Sequence, residues 1–207
     1  MLVVNRESVD VVTRADRGLE WLDRCYESLR PLKTKWTWHL VVRPGFIESV
    51  RNRGYERTVV HLAPNHPTVH EALCGINYYL DKVPNSGQWF FNLDDDNLMH
   101  SNFDHLEEMM VRHDILFFSQ QVNPSSARLI VPESFSPGSV DMSQFTARRT
   151  AMGKLKFWEV YRGDSYYLQE LSIRAKGGMG FTQQRVGYFY GVASYYNAQR
   201  YPFTDRP

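Results

Sequence analysis

The sequence predicts a single α/β domain with a mainly parallel central mixed sheet flanked by helices. Short apolar segments alternate with amphipathic ones over the first 120 residues, an order typical of parallel strands joined by crossover helices. Turns that contain proline and glycine separate these segments, notably at residues 44–45 and 84–87. The chain has 207 residues, of which 43% are hydrophobic and 14% aromatic, and can therefore bury one sizeable core.

The first 120 residues contain five predicted strands and three predicted helices. The strands are short apolar runs at residues 9–13, 38–42, 58–62, 89–93 and 115–119. The helices are predicted over residues 17–29, from the cap residue Asn65 to Val83, and from Ser101 onward with Asp104 as its capping-box partner. The resulting order is β-α-β-β-α-β-α-β.

The second half of the chain has a less regular pattern. It predicts a short strand at 128–131, an extended segment at 140–149, a helix that begins at Gly163, a glycine-rich flexible break at 176–180 and a last aromatic strand at 186–196. No internal repeat interrupts this order, and we therefore predict one domain over residues 1–207.

Composition excludes several classes of function. Lys and Arg number 24 against 23 Asp and Glu, a balance that gives no broad basic surface for nucleic acid or an anionic membrane. The two cysteines, Cys25 and Cys74, lie in apolar helical patterns, which indicates core residues rather than a disulfide framework or a zinc site. Neither a signal peptide nor an apolar run of the roughly 18 residues that span a bilayer is evident. We therefore predict a cytoplasmic protein without a transmembrane segment.

The segment Trp-Phe-Phe-Asn-Leu-Asp-Asp-Asp-Asn at residues 89–97 carries the most informative chemistry. A run suited to a buried strand ends in three consecutive carboxylates, Asp94, Asp95 and Asp96. Carboxylates about 4 Å apart repel each other by roughly 4 kcal/mol at an effective dielectric near 20. A hard divalent cation relieves this repulsion, and Mg²⁺ typically binds one or two carboxylates together with substrate phosphates. The alternative interpretation is a solvated acidic turn that caps the next helix.

A second polar segment is predicted to lie on the same rim of the sheet. Thr13, Arg14 and Asp16 follow the first strand, and the acidic triplet follows the fourth. Ligands of open α/β sheets bind outside the carboxyl ends of the strands. Both segments are therefore candidates for one binding cleft, although Asp16 is equally suited to cap the following helix.

These residues resemble the GT-A glycosyltransferases, which use nucleotide-sugar donors and carry a metal-binding Asp-X-Asp motif. The resemblance covers residues 9–172 and includes the Thr-Arg-Ala-Asp turn, the acidic triplet after an apolar strand, the segment from Val140 to Arg149 and the Gly163-Asp164 helix start. It implies a nucleotide-sugar-binding half at about residues 1–120 and an acceptor-binding half at about 121–207. A departure is the Arg43-Pro44-Gly45 sequence after the second strand, where many members have an aspartate for the base or ribose.

The resemblance assigns a role to each candidate residue. Asp96, as first choice, and Asp94 are implied to bind Mn²⁺ or Mg²⁺, which oxygen ligands do not distinguish. Asp94 and Asp95 are also implied to contact the donor, together with Thr13, Arg14 and Asp16 at the first turn. The implied donor is a UDP-sugar, and the implied acceptor is a hydroxyl of a glycan or glycoconjugate.

Asp164 is the implied general base of an inverting transfer, and Asp141 is the second choice. A helix cap is an equally good interpretation of Asp164, and a carboxylate bound by helix N–H groups is a weaker base. A nucleotidyltransferase with paired aspartates is the enzymatic alternative to a glycosyltransferase. A non-catalytic domain that binds glycans or supports a longer enzyme is the alternative from another class.

Overall fold

A computed structural model describes residues 8–15, 18–63, 71–83, 88–123, 126–128, 140–157 and 163–188. The strands are β1 Ser8–Ala15, β2 Lys35–Val42, β3 Thr58–Leu62, β4 Trp89–Asn92, β5 Leu98–Met99, β6 Ile115–Asn123, β7 Ser126–Arg128, β8 Phe145–Arg148 and β9 Met179–Tyr188. The helices are α1 Leu19–Leu29, α2 Ile47–Arg51, α3 Glu71–Lys82, α4 Glu107–Met110, α5 Arg149–Met152 and α6 Gly163–Arg174. Short 3₁₀ helices lie at Pro44–Phe46, Ser101–Leu106 and Met142–Gln144.

The strands form one mixed sheet, which confirms the predicted fold class. Its order is β3-β2-β1-β4-β8-β6-β9-β5, with β7 paired to β6. The first four strands of this order are parallel, and β8 is antiparallel to both β4 and β6. Parallel strands need crossover connections, and α1 and α3 lie in the connections that lead from β1 to β2 and from β3 to β4.

Each central strand contributes to two hydrophobic cores, one on each face of the sheet. Phe91 packs in the core that contains Leu22 and Leu29 of α1, whereas its neighbour Phe90 packs with Tyr79 of α3 on the opposite face. This alternation follows from the strand geometry, in which successive side chains point to opposite faces. Burial on both faces explains why these strands are nearly continuous apolar runs in the sequence.

Several predicted details were wrong. Within the predicted extended segment at 140–149, only Phe145–Arg148 is a strand, because a 3₁₀ helix precedes it and α5 begins at Arg149. The connection between β2 and β3 contains α2 and a 3₁₀ helix, where only a turn was predicted. The segment from Ser101 begins as a 3₁₀ helix capped by the side chain of His100, and Asp104 instead accepts hydrogen bonds from Lys33 and Thr34. The last strand begins at Met179 within the predicted flexible break.

The glycines of that break permit close packing rather than flexibility. A Cβ at Gly180 would lie 2.6 Å from Leu116 Cδ2 and 2.7 Å from His113 Cδ2. Gly178 has a φ of +76° and forms the turn that leads into β9. Asn65 and the part of the predicted last strand beyond Tyr188 lie outside the described residues.

Within the described part of the chain, no helix is both long and apolar enough to cross a bilayer.

Candidate functional site

The carboxyl ends of β1, β2 and β4 lie side by side at one rim of the sheet. β1 pairs in parallel with β4, with Val12 opposite Asn92, and with β2, with Ala15 opposite Val42. The segments that follow these strands therefore meet at one edge, as the sequence analysis predicted for Arg14 and the acidic triplet.

The acidic triplet forms a tight turn that is closed by a hydrogen bond from the Asn97 amide to the Asp94 carbonyl at 2.9 Å. We call the segment from Asp94 to Asn97 the acidic turn. Asp95 and Asp96 are only 5% and 3% exposed, whereas Asp94 is partly exposed. The turn is thus built into the protein surface, with Asp94 as its most accessible carboxylate.

Asp94 lies at the centre of a polar network. Its Oδ1 accepts a hydrogen bond from Asn92 Nδ2 at 2.9 Å, and its Oδ2 accepts one from Ser143 Oγ at 3.2 Å. Burial and the nearby carboxylate of Asp141 raise the pKa of Asp94 to about 6, although the two hydrogen bonds oppose this shift. Burial, together with repulsion from Asp141, therefore outweighs the two hydrogen bonds that Asp94 accepts.

Asp141 reaches the site through the 3₁₀ helix Met142–Gln144. Its Oδ1 accepts a hydrogen bond from the Ser143 amide at 2.9 Å, and the Gln144 side chain accepts one from the Asp141 amide at 3.1 Å, which together form a capping box. Ser143 thus contacts Asp141 through its backbone and Asp94 through its hydroxyl. This residue joins the two halves of the chain at the acidic turn.

The predicted donor contacts at the first turn have different outcomes. The hydroxyl of Thr13 is fully buried, donates to the Leu93 carbonyl at 2.6 Å and accepts from Trp38 Nε1 at 2.9 Å. Contact of this hydroxyl with a nucleotide-sugar donor would require those hydrogen bonds to be broken. Arg14 is partly exposed, with Cδ 3.6 Å from the point that a Cβ on Gly75 would occupy. Asp16 lies outside the described residues.

Asp164 is the second residue of α6, and its side chain is outside the described part of the structure. The backbone agrees with the predicted helix start at Gly163. Its role as a general base stays a prediction.

The chemistry of the acidic turn fits a hard divalent cation. Its carboxylate oxygens are the donor type that Mg²⁺ and Mn²⁺ prefer, and Asp94 and Asp96 would hold the ion. Among the described residues, no group of three or more His, Cys, Asp or Glu side chains is arranged around a common metal position. The remaining ligands would therefore be water and phosphate oxygens of a substrate, as is usual for Mg²⁺.

Several residues of this network were missed in the sequence. Asn92, Ser143 and Cys25 contact the acidic turn, but the latter two come from segments 46 or more positions away. The Asp-Met-Ser-Gln sequence at 141–144 did contain one usable signal, since an aspartate followed three residues later by glutamine is typical of a capping box.

The comparison with solved structures identifies the fold. TarS from S. aureus in complex with UDP-GlcNAc superposes with a TM-score of 0.68 at 10% identity, covering 88% of this chain and 58% of that one. The mannosyltransferase PcManGT from Pyrobaculum calidifontis, in complex with GDP-Man and Mn²⁺, gives a TM-score of 0.66 at 13% identity over 95% of this chain and 61% of that one. These likenesses show that the chain has the GT-A fold of nucleotide-sugar glycosyltransferases.

A third neighbour is 4-diphosphocytidyl-2C-methyl-D-erythritol synthase from Anaerococcus prevotii. It superposes with a TM-score of 0.56 at 9% identity, over 86% of this chain and 87% of that one. The chain therefore spans about three fifths of the TarS and PcManGT chains but most of this synthase. No protein-family model matches the sequence, and no curated protein matches it.

Proposed function

We propose that the chain is a metal-dependent glycosyltransferase domain that moves a sugar from a nucleoside-diphosphate sugar to a hydroxyl of a glycan or glycoconjugate. A UDP-sugar is the favoured donor, and Mn²⁺ or Mg²⁺ the favoured cation. The observation that carries the proposal is the acidic turn at the carboxyl end of β4, within a GT-A fold, where burial and the nearby carboxylate of Asp141 raise the pKa of Asp94 to about 6.

The electrostatics of the acidic turn support a cationic ligand. Both oxygens of Asp94 already accept hydrogen bonds, yet the nearby Asp141 disfavours its charged form. A bound cation would favour that charged form and stabilise the pair. In such a site the cation supplies charge stabilisation for the leaving diphosphate.

The position of Arg14 favours an anionic substrate next to the turn. It follows Thr13 on β1, and Thr13 is bonded to Leu93, the residue before the acidic turn. The stem of Arg14 lies near Gly75 of α3, and its backbone pairs with Val41 of β2 at the same edge of the sheet as the turn. A diphosphate between a guanidinium and a divalent ion would be bound on both sides.

A carboxylate of the second half would take the proton of the acceptor hydroxyl. Asp164 at the start of α6 is our first choice, and Asp141 beside Asp94 is the second. A base on the side of the sugar opposite the leaving diphosphate gives a direct displacement with inversion at the anomeric carbon. We place residues 1–120 on the donor side and 121–207 on the acceptor side.

A nucleotidyltransferase is the second candidate, because the synthase with a diphosphocytidyl product matches this chain over most of both lengths. The two activities release different products. A glycosyltransferase releases a nucleoside diphosphate from a nucleotide sugar, whereas a nucleotidyltransferase releases pyrophosphate from a nucleoside triphosphate.

A thermal-shift screen followed by product analysis tests the proposal. UDP-, GDP- and CDP-linked sugars and the four nucleoside triphosphates are compared with Mn²⁺, with Mg²⁺ and with chelator. Selective binding stabilises the native state as RT ln(1 + [L]/Kd). We expect stabilisation by a nucleoside-diphosphate sugar only with metal, and release of the diphosphate when an acceptor is added. Pyrophosphate release would establish the second candidate, and no stabilisation by any nucleotide would favour a non-catalytic domain.

A further inference from the structure

We propose that Thr13, Cys25 and Ser28 form a buried polar support that positions the acidic turn from behind, with Cys25 as its central member. The inference rests on the proposed function, because it assigns these residues the task of placing a metal- and donor-binding turn. None of the three is proposed to touch the substrate.

The thiol of Cys25 lies directly against the backbone of the acidic turn. Its Sγ is 3.0 Å from the carbonyl oxygen of Asn97, 3.3 Å from that of Asp95 and 3.7 Å from that of Asp94. Cys25 is fully buried in α1, and its thiol is not part of a disulfide. A thiol has one weak donor hydrogen, so it binds one of these oxygens at a time, and the distances favour Asn97.

The two hydroxyls bind the segment on either side of the turn. Thr13 donates to the carbonyl of Leu93, the residue before the turn, and is itself fixed by Trp38 Nε1. Ser28 donates to the Cys25 carbonyl at 2.6 Å and accepts from the amide of Met99, two residues beyond the turn, at 3.0 Å. Side chains of β1 and α1 thus bind the chain before, within and after the acidic turn.

The contacts of these three side chains with the turn and its two flanks are made to backbone atoms, namely the carbonyls of Leu93 and Asn97 and the amide of Met99. The side chain of Asp94, by contrast, is bound by Asn92 and Ser143. The support therefore determines where the turn stands relative to β1 and Arg14 without altering the carboxylates directly. Loss of a support contact should loosen the turn and weaken metal–donor binding, while the acceptor chemistry is affected only through donor affinity.

Cys25→Ala is the central test, and Cys25→Ser and Val50→Ala are its controls. Serine keeps a donor at the same position. Val50 of α2 is 1% exposed and belongs to the same core as Cys25, so its truncation reproduces a loss of packing at a different helix. Hydrogen exchange is measured by NMR at the Asn97 amide, which closes the turn by its hydrogen bond to the Asp94 carbonyl. The affinity for UDP with Mn²⁺ is measured by calorimetry on the full chain.

We expect Cys25→Ala to speed exchange at Asn97 by about five- to tenfold, the effect of losing a net hydrogen bond of about 1 kcal/mol, and to weaken UDP–Mn²⁺ binding by a similar factor. Cys25→Ser should stay closer to the wild type, and Val50→Ala should change neither quantity. Exchange no faster than in Val50→Ala would overturn the proposal. Faster exchange with unchanged affinity would also overturn it, because Cys25 would then be only a core residue.

If Cys25→Ala does not fold, Ser28→Ala with exchange at the Met99 amide provides the same comparison. The failure of the proposed function has a distinct signature, in which the wild-type chain binds no nucleoside diphosphate with metal. In that case, the exchange rates alone show whether the support positions the turn.

Discussion

Two polar clusters of this molecule each contain a carboxylate with two polar side-chain partners, yet their electrostatics differ. On the α3 face of the sheet, Asp10 accepts from Tyr79 at 2.8 Å and contacts His39 Nε2 at 3.3 Å, and His39 Nδ1 lies 2.9 Å from His61 Nε2. At the rim, Asp94 accepts from Asn92 and Ser143.

The difference between the clusters is the nature of the neighbouring groups. Asp10 is surrounded by a phenol and imidazoles, whereas Asp94 faces the carboxylates of Asp141 and Asp95. Satisfied hydrogen bonds are therefore common to both, and only the rim cluster gathers like charges that a cation would relieve. Charge distribution, more than hydrogen-bond satisfaction, therefore distinguishes the candidate site from a structural network.

The largest expected effect separates the two clusters by substitution. Asp96→Asn should abolish metal-dependent donor binding and transfer, because it removes the first-choice metal ligand. Asp10→Asn should leave donor affinity intact but destabilise the fold by about 1–3 kcal/mol, since a buried donor loses its acceptor. Calorimetry and urea unfolding of both variants check this. Retained metal-dependent binding in Asp96→Asn would move the metal to Asp94.

The next effect concerns chemistry rather than binding. Asp164→Asn should lower the transfer rate by about 10²–10⁴-fold, the usual consequence of losing a general base, while donor and metal affinities stay close to those of the wild type. Steady-state kinetics and calorimetry give the two quantities. Undiminished transfer would make Asp164 a helix cap and move the base to Asp141. A product that retains the anomeric configuration of the donor would contradict direct displacement with either base.

The two clusters should also respond to pH in opposite directions. Burial and Asp141 raise the pKa of Asp94 from 3.8 to about 6, so its contribution to stability is present below pH 3.8 and is lost as the pH rises through 6. Burial and His39 lower the pKa of His61 from 6.5 to about 4, so stability is lost as the pH falls from 6.5 through 4. Each group contributes a slope of at most about 1.4 kcal/mol per pH unit.

Urea unfolding between about pH 4 and pH 8 resolves these slopes. In Asp94→Asn, the pH dependence that comes from His61 remains. The free energy of unfolding should therefore rise more steeply with pH than in the wild type. In His61→Asn, the pH dependence that comes from Asp94 remains, so the free energy of unfolding should fall as the pH rises toward 6. His105→Asn, at an exposed position, is the control and should change neither slope. Identical profiles for all three variants would contradict the electrostatic comparison.

The smallest expected effect comes from the hydroxyl of Ser143, which connects Asp94 to the second half of the chain. Ser143→Ala removes a hydrogen bond that favours the charged form of Asp94, and the pKa of that carboxyl should therefore rise further above its ordinary value. Metal–donor affinity should fall a few-fold near pH 6 and stay unchanged near pH 8. Ser172→Ala, which removes a hydroxyl bonded within α6, is the matched control. An equal loss at both pH values would show that Ser143 acts through packing or through the hydrogen bond that it accepts from Asn97 Nδ2, and not through the pKa of Asp94.

Much of the fold was predictable because local patterns determine it. The apolar run at Trp89 predicted β4 almost to the residue, since a strand buried on both faces needs a continuous apolar sequence. The helix α2 was missed because its five residues are too few for a helical period to be seen. The start of β9 was missed because Gly180 was interpreted as flexible, although it is needed where β9 approaches Leu116 and His113.

The candidate site was predictable only where its residues are local. Asp94, Asp95 and Asp96 are consecutive, and their place at a strand end follows from the sequence. The contacts that hold the turn are not local, because Thr13 is 80 positions from Leu93 and Cys25 is 72 positions from Asn97. Thr13 illustrates the limit, since a polar residue at a strand end predicts a ligand contact, whereas the structure gives its hydroxyl two buried partners.

We propose that the acidic turn binds a nucleoside diphosphate through a divalent cation, and calorimetry of UDP with the wild-type chain measures this binding. Titrations in Mn²⁺, in Mg²⁺ and in chelator are compared at a pH above the pKa of Asp94. We predict that UDP binds at least about tenfold more tightly with metal, a difference of about 1.4 kcal/mol. Binding of GDP or dTDP in place of UDP would correct only the base. Equal affinity for UDP with and without metal would contradict binding through a divalent cation.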